Sequence, residues 1–177
     1  IYMCMMPYMA VQVLNVSSSG TGVLLTASGC GAVIPTVVFA KSGIKNRRMG
    51  ITIGSFFAGL AIIGFAFVSY QFQSFFLALV FVFIIGLSSS VYMLSAISSI
   101  QLNVPNEFRG RIMGIYTLTY SIVSLGGLYS GLMGGFIDRL LGIEHIGVPI
   151  SIGLGGFVVV LGSIFLYLYN KSLKVEA

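Results

Sequence analysis

Asn103-Val104-Pro105-Asn106-Glu107-Phe108-Arg109-Gly110-Arg111-Ile112 is a short charged break between two apolar runs, each longer than twenty residues and free of charge. It holds two of the nine basic residues and one of the four acidic ones. A proline, a carboxylate and an arginine pair around a glycine mark a hinge where one helix ends and another begins. The surroundings of that hinge decide the fold.

Those surroundings are apolar to a degree that a water-soluble domain does not reach. The chain is 57% hydrophobic and 7% charged, with a mean hydropathy of +1.04, where soluble domains carry about 25% charged residues. Its 13 charged side chains cannot cover the surface of a 177-residue globule. Apolar runs of about 20 residues match the roughly 30 Å of bilayer hydrocarbon at 1.5 Å per helical residue. The expected fold class is therefore all-α, a polytopic transmembrane helix bundle whose first partner is the lipid bilayer. Cys4 and Cys30 lie inside apolar segments and read as small packing residues, not as a disulfide. The chain opens at Ile1 in apolar residues, without the basic start and small-residue cleavage site of a signal peptide. A first helix with its beginning missing is expected.

Working outward from the hinge, residues 1–14 are a partial helix carrying Pro7, and full spans are predicted over 20–40, 49–68, 75–100, 112–136 and 147–169. If spans alternate in direction, the loops 41–48 and 101–111 and the tail 170–177 fall on one side. That side collects eight of the nine basic residues, and the other receives only Arg139 beside Asp138. The positive-inside bias makes the basic side, with the C-terminus, cytoplasmic in an inner or plasma membrane. It also accounts for the net charge of +5 without a nucleic-acid partner.

No Asp, Glu, Lys, Arg or His stands at mid-depth in a span, so the marks of an ion relay are missing. No Ser/His or Ser/Lys pair meets within a span, and no aspartate dyad or metal-ligand spacing is present, so neither an enzyme nor a metal site nor a cofactor is expected. His145 reads as a solvated side chain of an outer loop. What the spans do carry is hydroxyls. Ser88, Tyr92, Ser95 and Ser99 recur at spacings of four, three and four on one helical face. Tyr116, Tyr120 and Ser124, with Gly127 and Gly131, form a comparable face on the next span. Such groups need either an interhelical hydrogen bond or a watered cavity. The serines suit both; the tyrosine rings suit an amphipathic ligand.

The stretch Gln101-Leu102-Asn103-Val104-Pro105-Asn106-Glu107-Phe108-Arg109-Gly110-Arg111-Ile112-Met113-Gly114 resembles the loop between helices ten and eleven of the drug-, macrolide- and siderophore-exporter branch of the major facilitator superfamily. Pro7-Tyr8-Met9-Ala10, Gly126-Gly127, Gly131, Gly134-Gly135 and Ile137-Asp138-Arg139 are similar in order along nearly the whole chain. The resemblance implies the C-terminal six-helix half of that fold, helices seven to twelve with the first truncated. An N-terminal six-helix half would then be its partner, and a small amphipathic organic molecule of the drug or siderophore class its exported substrate, moved by alternating access. Ser88, Tyr92, Ser95, Tyr116, Tyr120 and Ser124 are the candidate substrate wall, and Glu107, Arg109, Arg111, Arg47 and Arg48 the candidate cytoplasmic gate. In one respect the chain departs from the pattern: Ala40-Lys41-Ser42-Gly43-Ile44-Lys45-Asn46-Arg47-Arg48 lacks the carboxylate that the family's loop between helices eight and nine often carries. A non-transporting membrane scaffold is the rival expectation, and dry helix contacts in place of a continuous cavity would mark it.

Overall fold

A lipid-solvated chain must satisfy its backbone internally, and helices do so within each span. The computed structural model describes residues 2–43, 46–142 and 145–175, with side chains except at 120, 124, 141 and 169–175. Five long helices occupy the apolar stretches: α2 (Ser18–Ser42), α3 (Arg47–Gln71), α4 (Phe75–Asn103), α5 (Asn106–Leu141) and α6 (Gly147–Val175). A short α1 (Tyr2–Tyr8) precedes them and passes into a π-helical segment, Met9–Val13. No strand occurs among the described residues. All five long helices have the length and composition to cross a membrane.

The helices run further than the apolar spans alone, because the charged flanks are helical too. Between α4 and α5 only Val104 and Pro105 lie outside a helix. The ring of Pro105 disfavours helical geometry at the preceding residue, and Val104 is accordingly extended at φ −98° and ψ 128°. Arg109 and Arg111, expected in a loop over 101–111, stand in the opening turns of α5. Glu107 lies in the first turn of that helix, where a carboxylate meets the positive end of the helix dipole.

Near α1 the helical winding changes. Pro7 has no N–H to donate, and just beyond it the pairing widens: Leu14 N–H reaches Met9 O at 2.9 Å and Val16 N–H reaches Ala10 O at 3.0 Å. The chain then turns through Asn15, at φ 52°, into α2.

In the bundle α3 packs along both α4 and α6, and α2 packs along α4. The α2–α4 crossing brings backbone to backbone at Gly31 and Gly86. A Cβ on Gly31 would strike the Phe83 carbonyl, and one on Gly86 would strike the Ser28 carbonyl. The buried core is formed by Met6, Met9, Ala10, Val13, Leu14, Leu24, Ala61, Phe65, Ala66, Ala78, Val82, Ile85, Val148 and Ile152. These residues come from the end of the bundle opposite the starts of α3 and α5, so burial is deepest there.

Helix α5 is the exception. It touches mainly α6 and α1, and only 6% of its apolar window is buried, against 39% for α3 and for α6. Its large side chains, such as Leu118 at 66% exposed and Leu132 at 67%, project away from the bundle.

Candidate functional site

The hydroxyl face of α4 meets α3 where α3 has no side chains. A Cβ on Gly54 would stand 2.7 Å from the Tyr92 backbone nitrogen and 3.0 Å from the Ser88 carbonyl oxygen. At Gly50 the same addition would strike the Ser95 hydroxyl. Small residues let helix backbones approach this closely in lipid. As a result Ser88 and Ser95 are buried within the α3–α4 seam, and Ser95 Oγ has no hydrogen-bond partner among the described residues. Tyr92 belongs to the same seam by its backbone, yet its side chain is 42% exposed. The one face thus has two environments, dry for the serines and open for the tyrosine.

The second face lies on α5. Tyr116 is half-buried, and its carbonyl accepts the Thr119 hydroxyl proton. The side chains of Tyr120 and Ser124 lie outside the described residues. Helices α4 and α5 touch only slightly, so Tyr92 and Tyr116 are held on adjacent elements without being packed into one wall.

The candidate gate residues gather at one end of the molecule, at the starts of α3 and α5. Glu107, Arg109, Arg111 and Arg48 are exposed and form no ion pair among the described residues. Arg47 is half-buried, and its Nε is buried without a hydrogen-bond partner among the described residues. Lys45, in the same loop, lies outside the described residues.

The opposite end holds a feature that hydroxyl periodicity does not reveal. Gln12, Val13, Asn15, Tyr70, Gln73 and His145 line a mostly polar recess of about 240 Å³. They come from the π segment, the turn after it, the last turn of α3, the α3–α4 turn and the α5–α6 loop. Tyr8 OH lies 3.0 Å from His145 Nδ1, tying α1 to that loop. Asp138 closes the same loop from the α5 side. Its Oδ1 accepts the backbone N–H of Ile146 at 3.1 Å and of Gly147 at 2.6 Å. Glu144 lies outside the described residues.

Between α3 and α6 a second hollow, lined in part by Thr52, Phe56, Phe57, Ser163 and Tyr167, presents an apolar surface. Cys4 and Cys30 are free thiols, exposed at the bundle surface instead of packed in its core. Cys4 Sγ lies 3.7 Å from the Val123 carbonyl, at the contact of α1 with α5. Among the described residues no three of His, Cys, Asp and Glu converge as a metal site. No known protein family matches the sequence, and no similar protein was found among curated proteins or solved structures.

Proposed function

We propose that the chain is the C-terminal half of a secondary transporter of the major facilitator superfamily type, exporting a small amphipathic organic molecule by alternating access and performing no covalent chemistry. The observation that carries the proposal is α5, a 36-residue helix with 6% of its apolar window buried. Such a helix needs a further apolar surface or a pathway beside it, and it bears Tyr116, while Tyr92 stands exposed on the neighbouring α4. An N-terminal six-helix half supplies that missing surface. Tyr92 and Tyr116 then form part of the substrate wall, with Tyr120 and Ser124 further along α5 and Ser88 and Ser95 behind it against α3. Glu107, Arg109, Arg111, Arg47 and Arg48 stand at the inner gate, on the cytoplasmic side of an inner or plasma membrane.

The test is dye efflux by the full-length protein in proteoliposomes, with ethidium as cargo. Tyr92→Ala and Arg109→Ala are each expected to slow efflux about tenfold, equivalent to about 1.4 kcal/mol of lost stabilisation. Wild-type rates in both variants would remove these residues from the pathway and gate, and no efflux by the unmodified protein would remove the transport function. A second reading, a non-transporting membrane scaffold, is favoured by one observation: Ser88 and Ser95 are buried in a dry helix contact. In that case both variants assemble normally and no cargo moves.

A further inference from the structure

We infer that the polar recess at the end of the bundle opposite the starts of α3 and α5 is a binding site for an uncharged, hydroxyl-rich small molecule. The inference begins with backbone geometry. Among the described residues three non-glycine positions have positive φ: Asn15 at 52°, Gln73 at 47° and His145 at 68°. All three line this one recess. Glycine adopts such angles without steric penalty, as Gly43 and Gly142 do elsewhere in the chain. Non-glycine residues there are uncommon, and glutamine is less tolerant of them than asparagine or histidine. Backbone held in this way collects at ligand sites. The π-helical segment, itself an irregularity that recurs at functional positions, supplies Gln12 and Val13 to the same recess.

The lining determines the ligand chemistry. Gln12, Asn15 and Gln73 each offer a paired N–H donor and carbonyl acceptor, a match for neighbouring hydroxyls. Tyr70, 37% exposed, adds a phenol and a ring surface. Tyr8 engages His145 at Nδ1, which leaves Nε2 as the imidazole's other hydrogen-bonding atom. None of the lining residues is Asp, Glu, Lys or Arg, and the nearby Asp138 carboxylate is engaged at the start of α6. The lining itself therefore offers no counter-charge, which favours an uncharged ligand. The volume of about 240 Å³ equals roughly eight waters at about 30 Å³ each, room for a ring-sized polyol. The inference requires only that this end of the bundle meets water, so it stands apart from the transport proposal; in a transporter the site would be an outer docking point.

The experiment is saturation-transfer NMR on the full-length protein in phosphatidylcholine nanodiscs, with myo-inositol as probe and gluconate and glucosamine as charged comparators. The expected result is saturation of myo-inositol alone, weakened about tenfold in Gln73→Gly, which corresponds to the loss of one good hydrogen-bonding group. Gln73→Gly also relaxes the positive φ, so its unfolding temperature is expected to stay at or above the unmodified value, separating lost binding from lost folding. Asn15→Gly repeats the test at a second such position. No myo-inositol signal, a signal unchanged in both variants, or equal signals from the charged comparators would each overturn the inference.

Discussion

The Asp138 carboxylate accepts the Gly147 backbone N–H at 2.6 Å, so the last turn of α5 caps the first turn of α6. One residue of α5 thereby performs two tasks, since its own carbonyl accepts the Gly142 N–H at 2.9 Å and closes the helix end. Gly142 makes this possible at φ 63°, the left-handed geometry that ends many helices. The negative charge also faces the positive end of the α6 dipole.

Asp138→Ala is therefore expected to lower stability by about 1 kcal/mol, the usual loss for a removed cap. Asp138→Asn keeps an acceptor and should retain part of that stability while losing the charge. Thermal unfolding in detergent distinguishes the three proteins, with the order Asp, Asn, Ala expected.

At the α2–α4 crossing, Gly31→Val and Gly86→Val place side-chain atoms against backbone carbonyls. Each is expected to destabilise by about 1–3 kcal/mol, the range for overpacking a close contact. Gly22, on the same α2, has open space at its Cβ position, and Gly22→Ala should be neutral or slightly stabilising. Denaturant titration of the three variants compares them directly.

Ser95 offers a sharper case. Its hydroxyl is buried with no partner among the described residues, so Ser95→Ala removes a polar group that forms no bond to them. Stability is expected to stay within about 0.5 kcal/mol or rise. Ser95→Leu, by contrast, drives a side chain into Gly50 and should lower the unfolding temperature clearly. A marked loss in Ser95→Ala would show that the hydroxyl has a partner in the assembled protein.

The contact between Tyr8 and His145 joins α1 to the α5–α6 loop across 137 positions of sequence. Tyr8→Phe removes the hydroxyl while keeping the ring. The expected cost is about 1 kcal/mol at most, with faster amide exchange confined to residues 145–147 and 8–15, read by hydrogen-exchange mass spectrometry. Faster exchange spread over all helices would mean that the tie stabilises the whole bundle.

The long apolar runs were legible because lipid solvation leaves a continuous compositional trace, and Pro105 announced the break between α4 and α5 by its ring alone. The helix ends were less legible. Lys41, Arg47, Arg109 and Arg111 suggested loops by charge, yet a helix continues through charged residues once it leaves the apolar layer. Ser88, Tyr92 and Ser95 showed their common face through spacing, but not that Gly50 and Gly54 would bury the serines and leave the Tyr92 side chain open. Burial depends on a neighbour's missing side chain, which a single helix's periodicity does not report. The outer recess was hidden more completely. Gln12, Tyr70 and His145 meet only through the tertiary arrangement, and each alone reads as an ordinary interface or loop residue.

In the transport reading the exposed side of Tyr92 meets a watered pathway. The most direct test is thiol accessibility in a Cys4→Ala, Cys30→Ala background of the full-length protein in membrane vesicles. Tyr92→Cys and Arg109→Cys are treated with a membrane-impermeant methanethiosulfonate reagent. Modification of position 92 as well as position 109 is the predicted result, with cargo slowing the reaction at position 92. Full modification at position 109 while position 92 stays inert would contradict the claim and leave α4 in a dry helix contact.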